Sequence, residues 1–230
     1  MNNRLKAMGE MKAWKLLVGA AIAGATRNGL ELKRRPGRGL SNVYETTKNG
    51  STHAVSIRTT RDRWMAFPPM NNGTRYKTLD DVDQVLVAAV DDQHNPQNVD
   101  IYLFPANEVR RRFDVAYAAR IANGNTVRND YGMWVKLDPA DSDSVGQIGA
   151  GIAVDYPRIA RFTIDELEFG TAPEATKLLD EDNAIPESEE IDRMVDFSNV
   201  ADVLSFARAR IAELTGIAAD TIRLELRMAA

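Results

Sequence analysis

The chain has no cysteine among its 230 residues and only two histidines, His53 and His94. Disulfide frameworks, thiol catalysis and zinc ribbons are thereby excluded. The two histidines lack metal-ligand spacing to one another, so Ser–His and Cys–His mechanisms have almost no material. No phosphate-cradling loop is present, because Gly146, Gly149 and Gly151 lack the following lysine and the strand-to-helix setting. A G-x-S-x-G nucleophile elbow is also missing. Long apolar runs are scarce. The longest, Leu16 to Ala25, falls well short of the roughly 20 residues that span a bilayer. Lys12 and Lys15 before it and Ala21-Ile22-Ala23 within it are the ingredients of a signal peptide. The run is only weakly apolar, however, and Leu5, Met8, Met11, Lys15 and Ile22 already recur at helical spacing. A helix over about residues 3–25 is the expectation, with no membrane partner and a cytoplasmic location.

What is present is divided charge. The formal net charge of −4 conceals a basic N-terminal third, residues 1–77, with 15 Lys and Arg against 4 Asp and Glu. The remainder carries 14 against 29. Residues 165–196 hold 12 Asp and Glu against Lys177 and Arg193, with Pro173 and Pro186, which reads as an acidic linker. Such asymmetry directs attention to a polyanionic partner for the first third.

Local signals set the order of elements. Arg27-Asn28-Gly29 is a helix C-cap, and Leu30–Arg35 is a short strand closed by the turn at residues 36–39. Ser41–Thr46 and Thr52–Thr59, separated by Lys48-Asn49-Gly50, form a β-hairpin. Strands are expected at Arg63–Phe67, Val82–Val90, Val99–Phe104 and Tyr131–Leu137, and a helix opening at Pro105 and running to Ala122. After the acidic stretch, Ser198 caps an amphipathic helix to Leu214, and Ile222–Met228 alternates as a strand. The expected layout is an α/β (α+β) domain over residues 1–164 with a mixed central sheet flanked by helices. The linker at 165–196 and a helix–strand appendage at 197–230 follow. One helix and one strand cannot bury a core alone, so the appendage implies self-association or a protein partner.

The run Ala54-Val55-Ser56-Ile57-Arg58-Thr59-Thr60, together with Val99–Val109 leading from a strand through Phe104-Pro105-Ala106 into a helix, resembles the restriction-endonuclease-like PD-(D/E)XK nuclease superfamily. The resemblance covers Lys12 to about Leu137. It implies an aspartate on the first arm of the hairpin, and an acid or Gln followed two positions later by lysine on the second. There the carboxylates hold Mg²⁺ and the lysine helps to activate or orient water. In this chain Asn42, Ser56 and Arg58 stand at those three positions. An amide and a hydroxyl lack the formal negative charge that Mg²⁺ favours, and a guanidinium stays protonated, so it is no general base. It can still clamp a phosphate.

Two alternatives stay open beside a degenerate fold that binds without cutting. Glu10, Glu31 and Glu45 are the acids from which a relocated Mg²⁺ site would be built. A protein-interaction module with an incidental basic third is the other. For nucleic acid, the relevant residues are Lys33, Arg34, Arg35 and Arg38 around a glycine-rich turn. Arg58, Arg61 and Arg63 beside Trp64 complete the set, combining phosphate contacts with an aromatic for stacking. DNA or RNA is the expected partner, and no cofactor is called for unless the relocated site holds Mg²⁺.

Overall fold

A computed structural model describes residues 4–35, 43–48 and 51–169, together with 204, 207, 208 and 221–224. The chain divides into two compact units, residues 1–187 and 188–230. The first begins with two helices, α1 (Arg4–Ala7) and α2 (Glu10–Arg27), where the sequence predicts one. Gly9, at φ 83°, makes the break, since left-handed backbone cannot continue a right-handed helix. The apolar stripe is also broader than its spacing predicts. From Leu16 to Ala25 every residue of α2 is buried, whereas Met11 is exposed. Alanine and glycine make this helix thin enough to lie flat on a sheet; a Cβ on Gly24 would come 2.8 Å from the Ile101 side chain. The C-terminus closes as expected from Asn28-Gly29. Gly29 N–H donates to Thr26 O and Leu30 N–H to Ala25 O, the Schellman pattern.

Next come β1 (Leu32–Arg34), β2 (Val43–Lys48) and β3 (Ser51–Thr60), followed by β4 (Trp64–Ala66), β5 (Pro69–Met70) and β6 (Arg75–Tyr76). Then β7 (Gln84–Val90) and β8 (Asn98–Pro105) lead into α3 (Ala106–Ala122). The described first unit ends with β9 (Trp134–Lys136), α4 (Ile152–Asp155), β10 (Ala160–Thr163) and α5 (Ile164–Phe169). The main sheet has six strands in the order β1-β2-β3-β7-β8-β10. It is mixed: β3 and β7 are parallel, and the other neighbours are antiparallel. The predicted hairpin is present, with Val43 opposite Ser56 and Lys48 opposite Ser51. Two small antiparallel ribbons, β4–β9 and β5–β6, stand outside the main sheet.

Paired residues share a face, and successive residues alternate. Val55, Ile57, Leu86, Ala88, Ile101 and Phe162 therefore lie on one side, where Gly24 of α2 meets Ile101 and the Arg27 guanidinium covers the Phe162 ring at 4.1 Å. Ser56, Arg58, Thr60, Val85, Val87, Tyr102 and Phe104 lie on the other. There Val109, Phe113 and Ala116 of α3 close a core with Met65, Phe67 and Tyr76. Phe113 sits edge-on to both Phe67 and Tyr76 at 5.5 Å. β7 is buried on both faces, which explains its almost uninterrupted apolar run. The result is a mixed α/β domain whose central sheet is flanked by helices.

Several local expectations are corrected. Pro105 ends β8 and caps α3 with extended backbone instead of opening the helix. The strand expected at Tyr131–Leu137 shrinks to Trp134–Lys136, and Val82 precedes β7. The acidic stretch begins inside folded structure, since α5 buries Ile164 and Leu167. In the second unit Leu204, Ala207 and Arg208 are helical, whereas Ile222–Leu224 carry no strand. The rest of the appendage and the remainder of the acidic stretch lie outside the described residues. Among the described residues, no helix is long and apolar enough to cross a membrane.

Candidate nucleic-acid interface

β3 is the strand on which the candidate residues converge. Ser56 is fully buried on the α3 side between Val43 and Val85, and its Oγ has no hydrogen-bond partner among the described residues. Arg58, two residues on and on the same face, is 5% exposed. Its guanidinium stacks over the Phe67 ring at 4.6 Å, a cation–π contact in the core. Asn42 and Arg38 lie outside the described residues.

The three carboxylates proposed for a relocated site do not all meet at one place: Glu31, just before β1, lies near Glu45 by register, but Glu10 stands apart. Glu10 opens α2 and is held by Arg61, with Nη1 to Oε1 at 3.1 Å and Nη2 to Oε2 at 2.7 Å. Glu31 lies beyond the opposite end of this 18-residue helix, a span of about 27 Å at 1.5 Å per residue. Glu45, on β2, faces Arg35 at 3.4 Å. Among the described residues, no group of three His, Asp or Glu side chains has metal-holding geometry.

The basic residues separate into two populations. Lys33 and Arg34 belong to β1, the terminal strand of the sheet, and Arg35 follows directly; Lys33 and Arg35 are exposed. Arg61 and Arg63 are drawn inward. Arg63, in left-handed backbone at φ 62°, forks onto Asp138 (Nε–Oδ2 2.7 Å, Nη2–Oδ1 2.8 Å). It also donates to Val90 O at 3.0 Å and to the Tyr102 hydroxyl at 2.9 Å. The hydrogen bond to Asp138 is the largest influence raising its pKa, ahead of the opposing cost of burial. Nearby Asp100, 4% exposed, is ringed by Arg161 at 2.6 Å and by Arg63 and Arg158, each at 3.6 Å. A carboxylate so buried requires cationic partners, and this cluster consumes them. Trp64 is half-buried on β4, opposite Lys136 of β9.

Sequence reasoning missed the Asp100 cluster and the pairing of β4 with β9, although it expected both strands. Asp100 gives no local signal beyond a charge inside an apolar strand, which was itself a usable hint that a cation must face it. Trp134, opposite Ala66 on the same ribbon, and Tyr131, whose ring contacts Trp134, stand some seventy residues from Trp64 in the chain. No family model, curated protein or solved structure matches the chain.

Proposed function

We propose that this chain is a catalytically degenerate nuclease-fold protein, restriction-endonuclease-like in its order of elements, that binds nucleic acid without cleaving it. Support for the fold reading is the sequence α2, β1, the β2–β3 hairpin, β7, and β8 running into α3, the same order that carries the resemblance. The observation that carries the functional reading is the state of β3. Ser56 and Arg58, at the positions of the acid and the lysine, are buried in the α3-side core, the arginine against Phe67. A hydroxyl and a stacked guanidinium supply neither the negative charge that Mg²⁺ needs nor a base to activate water. The exposed cations at the β1 edge, Lys33 and Arg35, the latter in a solvent-exposed pair with Glu45, instead suit phosphate contacts, and no cofactor is needed for such contacts. A cytoplasmic location accompanies this reading, and residues 197–230 are its candidate assembly segment.

The test combines binding and cleavage with short DNA and RNA, with and without Mn²⁺. Salt-sensitive binding without cleavage is expected, and Lys33→Glu with Arg35→Glu should lower the salt slope by about 1 for each phosphate no longer neutralised. Divalent-dependent nicking that disappears in Glu31→Gln or Glu45→Gln would replace this reading by an active nuclease. A stable oligomer that binds no nucleic acid at low salt would leave only a protein-interaction module.

A further inference from the structure

The β4–β9 ribbon turns Met65 and Val135 into the core and, by alternation, Trp64, Ala66, Trp134 and Lys136 to its other side. Trp64 and Trp134 are half-buried there, and Tyr131 is 65% exposed, its ring edge-on to Trp134 at 6.5 Å. The third tryptophan, Trp14, is fully buried. The ribbon is braced from several sides. Arg63 O accepts from Leu137 N–H at one end, and Arg120 donates to Trp134 O at 3.0 Å. Gly132 passes so close to the indole that a Cβ would lie 2.2 Å from it. The ribbon and the Trp134 indole are thus held in position before any ligand arrives, which lowers the entropic cost of binding.

Charge at this face is already compensated. Lys136 is paired with Asp141 at 2.6 Å, Arg61 with Glu10 and Arg63 with Asp138. A ligand is therefore selected here by its flat face more than by its charge. The level of the basic edge on β3 is set by Ala54, which is opposite Glu45 and, through it, Lys33. From Ala54 to the end of β3 at Thr60 is about 20 Å of strand, and the ribbon begins four residues later.

We propose that this aromatic face stacks the unpaired bases of a single-stranded nucleic acid whose phosphates run to the β1 edge. This rests on the proposed function and adds to it a preference for single strands, since bases inside a duplex cannot reach a ring on the protein surface. The two parts of the surface divide the work: stacking contributes affinity without salt dependence, and the edge cations contribute the salt slope.

The full chain is titrated with a single-stranded DNA oligonucleotide of about 16 nucleotides and with a duplex of the same sequence, following tryptophan fluorescence. Because Trp14 is buried, quenching reports Trp64 and Trp134. Expected are quenching by the single strand, weaker binding of the duplex, and an affinity loss of about tenfold in Trp134→Ala at unchanged salt slope. Tyr131→Ala, at an exposed ring outside the core, should weaken binding while preserving the fold; Tyr131→Phe should restore it. Binding without quenching, with full affinity in Tyr131→Ala and Trp134→Ala, would overturn the stacking face and leave edge binding intact. Absence of binding at low salt to either form would overturn the proposed function and this inference together.

Discussion

Arg63 and Asp138 meet side-on, with two parallel hydrogen bonds of 2.7 and 2.8 Å joining the residue just before β4 to the segment just after β9. The geometry belongs to a planar fork, and the same guanidinium also reaches Val90 O and Tyr102. Arg63→Ala should destabilise the protein by about 3 kcal/mol, because Asp138 and the buried Asp100 each lose a cation. Arg63→Lys should recover little of this, since an ammonium cannot reproduce the fork. Urea unfolding of both variants checks it. Wild-type stability with selectively abolished nucleic-acid binding would show that Arg63 serves the ligand instead.

Acid should loosen the α3 face. Hydrogen bonds from Arg111, then from Arg112, hold Glu108 down to about 2, against an ordinary 4.5. A carboxylate depressed in the folded state adds stability above its unfolded pKa and loses it as the pH falls through the folded value. Stability should therefore decline between roughly pH 4.5 and pH 2, and Glu108→Gln should flatten that part of the curve while lowering stability at neutral pH. Thermal unfolding across the acid range measures both effects.

Arg112 pins the segment before β10 to α3, donating to Gly149 O and Ala150 O and pairing with Glu108 and Asp155. Gly149 lies at φ 90°, and a Cβ there would come 2.6 Å from the Arg112 carbonyl oxygen. Gly149→Ala should cost about 2 kcal/mol or more, combining backbone strain with overlap. Gly124→Ala, at φ 79° with open space around it, should cost only about 1 kcal/mol. Parallel denaturant titrations separate the two contributions.

The α2–sheet packing makes an opposing test of helix propensity. Alanine is favoured over glycine inside a helix by about 1 kcal/mol, yet a Cβ at Gly24 overlaps Ile101 at 2.8 Å. Gly24→Ala should therefore destabilise by about 1 kcal/mol net. Combined with Ile101→Ala, which vacates the space, the destabilisation should be smaller than the sum of the two single effects. A double-mutant cycle reads that coupling directly.

The hairpin was legible because alternation and an Asn-Gly turn are local, as were the cap after Arg27 and the buried run of β7. Elements whose reason is distant were not. β10 is four residues, Ala160–Thr163, that alternate weakly and become a strand only because β8 presents an open edge opposite them. β4 and β9 were both expected as strands, but nothing near Trp64 announces that they pair with each other. Of the site residues, Lys33 and Arg35 were readable as cations at a short strand beside a glycine-rich turn, though not as lying at the edge of the sheet. The inward roles of Arg58, Arg61 and Arg63 were not, since basic residues beside a tryptophan look the same whether they face phosphate or carboxylate.

By itself the sequence determined which chemistries lack material, where the charge divides, and which segments fold locally into helix or hairpin, because those depend on residue type and short-range period. Only the tertiary structure decided how each cation is used. Burying Asp100 and closing the end of the β4–β9 ribbon demand counter-charge at fixed points, so Arg63, Arg158 and Arg161 are drawn to Asp100 and Asp138, whereas Lys33 and Arg35 stay exposed where the sheet ends, Arg35 beside the equally exposed Glu45.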